Sequence, residues 1–488
     1  MHHQNTKSRY AVCKAAIAAA ALVAVFGGSA HAQLYWSGDG STIGGSGTWD
    51  TTNARFSSGT SGPFSTVWDN TANASTQAVF QTTRGTVTVQ AGGISVGTIT
   101  PINASAASPW VFTGGDITLG SRIGAITDTQ MNASFSNNIA LPNATTFFYR
   151  GGGSTLNITG QLSGAGKVTN DRGNSAHTLT LAGNNSGWSG GMTMAGMNFV
   201  LGHNNALGTG LVEVAAASPV ISATTPLTAI NTPFQYTASG AADNVQLITL
   251  SGSNAMTFNG NLSWSGNGTS GLTRGFNVTS SEVMTWNGVI SQTDATRVRN
   301  FRKSGSGTLV LGGANTYGLT TGTTTVAEGT LLVSNTNGSA TGLTAVVVNS
   351  AAVIGGNGSI GGNLTLASGA LFAFDTGSTL DLSGTLALDS SFGVASLRNT
   401  SGGAIDWSAI TSGTYTLMNT SFAFNATNIS NFGGTNAYTI GSGTTAYFQQ
   451  GSGPSSLQLV VVPEPAALSM AAVGMVISGL VARRLRRR

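Results

Sequence analysis

The chain has 488 residues, of which 7% are charged, 40% are hydrophobic and 69 are glycine. Disordered chains lack that much apolar content, so low charge and abundant glycine favour many short strands joined by tight turns. The formal net charge of +4 comes from basic residues near the two ends, and the slightly acidic middle removes the main support for a nucleic-acid partner.

Cysteine and histidine are scarce. Cys13 is the only cysteine, and the middle of the chain contains two histidines, His177 and His203. Disulfides are therefore excluded from that region, and zinc is disfavoured. Each histidine is expected on the surface or in a turn.

Residues 1–32 have the three-part layout of a secretory signal peptide. The basic residues of this segment are Lys7, Arg9 and Lys14. An apolar run at 15–26 follows, and small residues occupy the cleavage positions, Ala30 and Ala32. We therefore expect the Sec translocon and signal peptidase to act on the chain, and the mature protein to begin at Gln33. An uncleaved membrane anchor is the alternative.

Residues 33–300 are predicted to form an N-terminal β-solenoid region with irregular loops. Strand-forming segments such as 247–250 and 256–258 alternate with Gly, Ser and Asn turns. Three tryptophans open this region, at Trp36, Trp49 and Trp68. We expect them to cap the first coil, since a solenoid must cover its open end. An exposed aromatic row that stacks on sugar rings is the alternative.

The one basic cluster of the middle lies at 297–303, with the sequence RVRNFRK. The favoured interpretation is solubility and the protection of a strand edge. The alternative is contact with an acidic polysaccharide or a phosphate group.

Residues 303–333 show how the middle of the chain is organised. Gly, Ser and Asn separate three short runs rich in threonine and aliphatic residues, at Thr308–Leu311, Thr323–Val326 and Thr330–Val333. No segment there has the length or period of an amphipathic helix. We therefore predict coils of a β-solenoid.

The same segment resembles the autotransporter-associated β-strand repeat of bacterial secreted proteins. The resemblance rests on KSG at 303–305, GTLVL at 307–311, GANTY at 313–317 and EGTL at 328–331. Residues 178–200 repeat the pattern weakly, with Asn185 in the place of Asn315, and a second copy favours a solenoid. The resemblance implies a passenger-like architecture, and we assign 301–460 to a regular β-solenoid.

Residues 461–488 resemble the PEP-CTERM sorting signal of Gram-negative bacteria. The motif Pro463-Glu464-Pro465 precedes a short apolar run at 466–482. The arginines that follow are Arg483, Arg484, Arg486, Arg487 and Arg488. The apolar run is at the short end of what crosses a bilayer as a helix, and the arginines would keep the tail in the cytoplasm. An ordinary tail anchor is the alternative.

This second resemblance implies a route of export. An exosortase-type membrane protease would cut near Pro-Glu-Pro after transient anchoring in the inner membrane, and the protein would then be released or attached at the outer surface. A true autotransporter is not expected, because the sequence closes on one apolar run rather than on alternating strands of about ten residues.

Candidate catalytic residues are sparse. Asp375 begins an Asp-Thr-Gly triplet, but an aspartic protease needs two carboxylates and the triplet occurs once. Asp381 and Asp389 follow closely, and a pair of carboxylates at a suitable separation would serve glycoside hydrolysis. Turn formation explains these residues better. The glycine-rich runs are not phosphate-binding loops, and no cofactor or metal is predicted.

Together these patterns predict an all-β fold. We expect an elongated right-handed parallel β-helix, preceded by a signal peptide and followed by one transmembrane helix. The predicted role is non-enzymatic: a structural or adhesive protein of the cell surface or extracellular matrix, associated with exopolysaccharide or biofilm. The alternative from another class is a carbohydrate-active β-helix enzyme, a lyase or a hydrolase.

Overall fold

The computed structural model describes residues 32–463, except 103–107, 125–130, 144, 149–154, 171–176, 216–217, 238–244, 266–270, 295, 425–427, 442 and 452–454. Within these described residues the chain forms 44 β-strands and three short 3-10 helices, and no α-helix. No helix of this part is long and apolar enough to cross a membrane. The predicted C-terminal helix at 466–482 and nearly all of the predicted signal peptide lie outside the described residues.

The N-terminal part of the chain alternates between two long sheets, called here the first and second sheets. Its strands are β1 (Gln33–Trp36), β2 (Gly47–Trp49), β3 (Ala54–Ser57), β4 (Thr66–Val67), β5 (Gln77–Phe80), β6 (Thr86–Val89), β7 (Ile94–Pro101), β8 (Trp110–Gly114), β9 (Ile117–Ile123), β10 (Asn132–Phe135), β11 (Ile139–Ala140), β12 (Thr145–Phe148), β13 (Thr155–Ile158), β14 (Leu162–Ser163), β15 (Lys167–Asn170), β16 (Thr178–Leu181), β17 (Met192–Met194), β18 (Asn198–Leu201) and β19 (Val212–Val214). Strands β5, β7, β9, β12, β15, β17 and β19 lie in parallel in the first sheet, and β6, β8, β10, β13, β16 and β18 do so in the second.

A third sheet joins the stack after β20. The strands of this part are β20 (Val220–Ala223), β21 (Leu227–Ile230), β22 (Phe234–Tyr236), β23 (Val245–Leu250), β24 (Met256–Phe258), β25 (Leu262–Trp264), β26 (Leu272–Val278), β27 (Met284–Trp286), β28 (Ile290–Gln292), β29 (Arg299–Ser304), β30 (Thr308–Leu311), β31 (Thr323–Val326), β32 (Thr330–Val333), β33 (Ala345–Val348) and β34 (Val353–Gly356). From β20 to β28 the chain visits the second, third and first sheets in turn, and from β29 to β34 it alternates between the second and third.

The C-terminal part ends in an antiparallel sheet. Its strands are β35 (Ser359–Ile360), β36 (Leu364–Leu366), β37 (Leu371–Ala373), β38 (Leu380–Leu382), β39 (Leu386–Leu388), β40 (Leu397–Arg398), β41 (Gly413–Thr420), β42 (Tyr438–Gly441), β43 (Thr444–Gln450) and β44 (Ser456–Pro463), with 3-10 helices at Val394–Ser396, Trp407–Ala409 and Gly434–Asn436. A fourth sheet has the order β35-β38-β41-β44-β43-β42, and β41 to β44 pair antiparallel. The parallel coils therefore stop before residue 460, where the sequence analysis placed the end of the regular solenoid.

The core forms because inward and outward residues alternate along each strand. Leu156, Leu179 and Phe199 occupy matching positions in β13, β16 and β18, and all three are buried. A period of two places every other side chain inside, and in-register parallel pairing stacks equivalent side chains on one another. The predicted all-β fold with parallel, solenoid-like stacking is confirmed. Its right-handedness stays a prediction, supported by the usual hand of parallel crossovers.

The three tryptophans near the N-terminus lie inside the first coil. Trp36, Trp49 and Trp68 are at most 1% exposed and pack with Phe56 and Phe80. Ring centroids in this cluster lie 4.8–5.7 Å apart. The short strands β3 and β4 pair antiparallel beside β1 and cover the end of the stack. The alternative of an exposed aromatic row is therefore wrong, and the buried position of the three rings is the one expected of a cap.

Glycines stack closely at the corner between the third and first sheets. A Cβ on Gly288 would lie 2.0 Å from the Gly260 carbonyl oxygen of the preceding coil. We expect Gly288→Ala to lower the free energy of unfolding by about 1–3 kcal/mol through this overlap. Denaturant titration would measure it. The control is Gly377→Ala, whose Cβ would meet no atom within 4 Å. Equal effects of the two substitutions would contradict the close packing.

Candidate functional site

The motif segment at 301–333 is built around a buried lysine. Strand β29 directs Lys303 into the interior, where the residue has no exposed surface. Its ammonium donates hydrogen bonds to the carbonyl oxygens of Ser304, Gly305 and Glu328, at 3.1, 2.7 and 2.9 Å. Ser304 ends β29, Gly305 lies in the turn after it, and Glu328 lies in the turn before β32. Lys303 therefore joins two successive coils at the corner between the second and third sheets.

Two glycines make this corner possible. Gly305 has φ +75° and Gly329 has φ +63°, in the left-handed region that glycine enters without strain. A Cβ on Gly329 would lie 2.4 Å from the Gly305 carbonyl oxygen. Oε2 of Glu328 accepts a hydrogen bond from the Gly305 N–H at 3.2 Å. The Lys-Ser-Gly and Glu-Gly-Thr pieces of the motif thus specify one corner of the solenoid.

Burial lowers the pKa of Lys303 to about 7, and the Glu328 carboxylate opposes that shift. The unfolded chain, with a lysine pKa of 10.5, then binds more protons than the folded chain between about pH 7 and 10.5. The free energy of unfolding should therefore rise with pH across that window. Relative to Lys303→Met, we expect a gain of roughly 2 kcal/mol between about pH 7.5 and 9.5.

Denaturant titrations of the unmodified protein and of Lys303→Met at several pH values would measure this difference. The comparison removes the contribution of every other titrating group that the two proteins share. Parallel pH profiles would contradict a lowered pKa at Lys303.

Asn315, also in the motif, bridges three coils. Its Oδ1 accepts a hydrogen bond from the Ile290 N–H at 2.7 Å, and its Nδ2 donates one to the Ala340 carbonyl at 2.6 Å. Asn185 makes the same two contacts elsewhere: its Oδ1 accepts from Leu162 N–H at 2.7 Å and its Nδ2 donates to the Ala206 carbonyl at 2.6 Å. The matching geometry supports the weak second copy of the motif at 178–200.

The three candidate catalytic aspartates have structural roles on the surface. Asp375 and Asp389 lie outside the strands, and their carboxylates accept backbone N–H groups two residues ahead. Asp381 lies in β38 and accepts a hydrogen bond from Asn419 Nδ2 at 3.0 Å. Turn formation and strand pairing therefore account for the contacts of all three. Among the described residues, no three or more His, Cys, Asp or Glu side chains are grouped so that they could hold a metal ion.

The basic cluster at 297–303 does not lie at the edge of a sheet, where the sequence analysis placed it. Strand β29 lies between β26 and β31 in the second sheet, so both its edges are paired. Arg299 and Lys303 face the interior with exposures of 3% and 0%. Arg297 pairs with Asp294 at 3.0 Å on the outside. Edge protection is therefore the wrong interpretation. Phe301 between them is also buried, and the period of two along a strand puts Arg299, Phe301 and Lys303 on one face. That spacing was the signal in the sequence that the two cations point inward.

The histidines occupy different environments. His203 lies in a turn, as predicted, and its Nδ1 accepts a hydrogen bond from the Asn205 N–H at 3.0 Å. His177, which directly precedes β16, is 4% exposed, so of its two predicted locations, the surface or a turn, the surface is wrong. Burial lowers the pKa of the His177 imidazole.

Three residues of the predicted processing sites are described by the structure. Ala32 and Gln33 are exposed, and β1 begins at Gln33, the predicted start of the mature chain. Pro463 is the last residue of β44, opposite Thr444 of β43. The other residues of these sites lie outside the described part: Ala30, Glu464, Pro465 and the arginines at 483–488.

Open grooves follow the outside of the motif coils. One of about 370 Å³ is lined by Glu328, Thr330 and Ser350 among others. A second, of about 330 Å³, contains Asn337 and Asp381. Hydroxyl and amide groups dominate the second groove, whereas the first combines serine and threonine hydroxyls with a larger apolar surface; each groove has one carboxylate. The second groove therefore suits hydrogen bonding to a neutral polar ligand better than attraction of an ion.

Comparisons with known proteins identify the same segment as a known repeat. The family model Passenger-associated-transport-repeat matches residues 301–333. The adhesin BmaC autotransporter of Brucella suis biovar 1 (strain 1330) is 32% identical over 147 residues, which is 29% of this chain. The match spans 4% of the length of that adhesin. No solved structure matches. The chain therefore contains an autotransporter-associated repeat and is similar in part to an autotransporter adhesin.

Proposed function

We propose that the protein is an exported, non-enzymatic adhesive protein of the bacterial surface. The observation that carries the proposal is the motif at 301–333, which matches a passenger-associated repeat and whose charged residues are engaged in folding. Lys303 and Glu328 join coils to one another. The similarity to an autotransporter adhesin supports the surface role.

The outer faces of the strands supply the adhesive chemistry in this proposal. Outward positions of the second sheet include Asn157, Thr180, Thr323, Thr325 and Thr365. Stacked coils repeat such positions about every 4.8 Å along the solenoid. Hydroxyl and amide groups in these rows would contact an exopolysaccharide or biofilm matrix through many weak hydrogen bonds. Multivalent contact of this kind gives strong retention without a single deep pocket.

Retention of cells on a surface coated with their own exopolysaccharide tests the adhesive role. Cells that produce the full chain should remain attached under flow in larger numbers than cells that lack it. The chain must be detected on the outside of the producing cells. Equal retention with the chain present on the surface would contradict the proposal.

We further propose that residues 461–488 act as an exosortase sorting signal, based on Pro463-Glu464-Pro465, the apolar run at 466–482 and the arginine tail. The inner membrane would hold this segment transiently. The signal peptidase and an exosortase-type protease would then process the two ends, at Ala32–Gln33 and near Pro-Glu-Pro.

The sorting proposal is tested by the intact mass of the protein recovered from native cells. The unmodified protein should lack the tail, and a Glu464→Ala, Pro465→Ala double variant should keep it. Pro463 stays unchanged because it completes β44 beside Thr444. A tail retained in the unmodified protein and in the variant would overturn the proposal.

The carbohydrate-active alternative has a direct test. A triple substitution of Asp375, Asp381 and Asp389 by alanine would be compared with the unmodified protein in a polysaccharide-degradation assay. No degradation by either protein is expected. Degradation that disappears in the triple variant would replace the adhesive proposal with an enzymatic one.

A further inference from the structure

Four Asn-Gly pairs fall within the described residues: Asn259-Gly260, Asn287-Gly288, Asn337-Gly338 and Asn357-Gly358. In such a pair the backbone nitrogen of glycine can reach the side-chain carbonyl carbon of asparagine, because glycine has no Cβ to block the approach. A nitrogen whose N–H is held in a hydrogen bond must first be released. The fold therefore decides which of the four pairs can react.

Three of the four glycine N–H groups are held by the preceding coil. Gly260 donates to the Ile230 carbonyl at 3.2 Å, Gly288 to the Phe258 carbonyl at 3.3 Å and Gly358 to the Val333 carbonyl at 3.0 Å. Two of the asparagines are also fixed to one another, since Asn287 Nδ2 donates to Asn259 Oδ1 at 3.1 Å. Attack at these pairs requires local opening between coils.

The pair Asn337-Gly338 has the opposite arrangement. Both residues are exposed in the turn between β32 and β33. Within the described chain, the Gly338 N–H donates no hydrogen bond. The side chain of buried Asn335 instead binds the carbonyl groups of this turn. Its Nδ2 donates hydrogen bonds to the carbonyl oxygens of Asn337 and Gly338, at 3.1 and 3.0 Å. The nitrogen of Gly338 is therefore open to react, although the turn is well anchored.

We propose that Asn337 is a site of spontaneous, selective deamidation. The Gly338 nitrogen forms a bond to Cγ of Asn337, the bond from Cγ to Nδ2 breaks, and ammonia leaves with the proton lost from the Gly338 nitrogen. Water then opens the resulting succinimide at either carbonyl, which gives aspartate or isoaspartate. No redox step or cofactor is involved. The reaction adds a carboxylate to the groove of about 330 Å³ that already contains Asp381.

Peptide mapping of the full-length protein after incubation at mildly alkaline pH tests the proposal. Trypsin should release Asn337 and Asn357 in one peptide, because residues 304–397 contain no lysine or arginine. Fragment-ion sequencing then assigns each deamidated position and separates aspartate from isoaspartate. Asn337 should deamidate at least about tenfold faster than Asn259, Asn287 and Asn357, since release of one inter-coil hydrogen bond costs close to that factor.

The same incubation in concentrated urea is the matched control. All four pairs share glycine as the following residue, so their rates should converge once the coils are unfolded. In a variant with Asn337→Gln, the pairs at 259, 287 and 357 should keep their slow rates. The proposal is overturned if Asn337 is no faster than the other three in the folded protein, or if its preference persists unchanged in urea.

Discussion

Replacing Trp286 with alanine should lower the free energy of unfolding by about 3–5 kcal/mol. Trp286 is fully buried at the end of β27. Its ring lies 4.7 Å from that of Phe258 at an interplanar angle of 9°, and 5.0 Å from that of Phe276. The alanine variant would leave a cavity among three sheets. The surrounding side chains cannot fill this cavity, because each coil is held in place by its strand pairing with the next coil. Denaturant titration followed by circular dichroism would measure the loss.

Two further substitutions make this prediction specific. Among the described residues, none accepts a hydrogen bond from the indole N–H of Trp286. Trp286→Phe removes that buried donor and keeps a ring against Phe258, so it should cost less than half as much as alanine. Val283 on the same coil is 41% exposed, and Val283→Ala should stay within about 0.5 kcal/mol of the unmodified protein. If Trp286→Ala were as stable as Val283→Ala, the aromatic stack would contribute little to the free energy of unfolding.

Replacing Asn315 with alanine should lower the free energy of unfolding by about 2–4 kcal/mol. The substitution leaves the Ile290 N–H and the Ala340 carbonyl without their partner in the interior. Each unsatisfied buried group carries a desolvation cost that water cannot relieve without opening the coil. Asn185→Ala should have a similar effect, since Asn185 makes the equivalent contacts with Leu162 and Ala206.

Hydrogen exchange would locate the effect as well as measure it. Coils contact only their neighbours, so the loss at 315 should appear as faster exchange at the Ile290 amide and in the adjoining coils. Asn349 supplies the control, because it is exposed and its side chain makes no hydrogen bond to another residue in the described part of the chain. Asn349→Ala should leave exchange unchanged. Uniform acceleration along the whole chain after the change at 315 would contradict a local bridge.

Strand positions in the motif were predictable because they depend on local chemistry. The predicted runs Thr308–Leu311, Thr323–Val326 and Thr330–Val333 coincide with β30, β31 and β32. Threonine and aliphatic residues favour strands, and glycine and asparagine end them. The antiparallel sheet formed by β41 to β44 was not predictable in the same way, because the period of two is the same in parallel and antiparallel strands.

The candidate site shows the same division between local and distant information. The motif at 303–333 indicated a lysine, a glutamate and glycines at set positions, and the matching positions of Asn185 and Asn315 were visible in the sequence. The contacts of Lys303 were not, because its Glu328 acceptor lies on the next coil. The burial of Lys303 depends on which face of β29 points into the core. Its charge alone predicted a position on the outer surface.

The sequence by itself determined that this protein is a stack of short strands with little charge, no disulfide in its middle and a repeat typical of exported passengers. Composition and period carry that information because they act over a few residues. The tertiary structure decided which sheet each strand joins, which cations face inward and which asparagine lies beside an open glycine nitrogen. Those outcomes depend on hydrogen bonds between residues more than twenty positions apart, and only the folded stack brings them together.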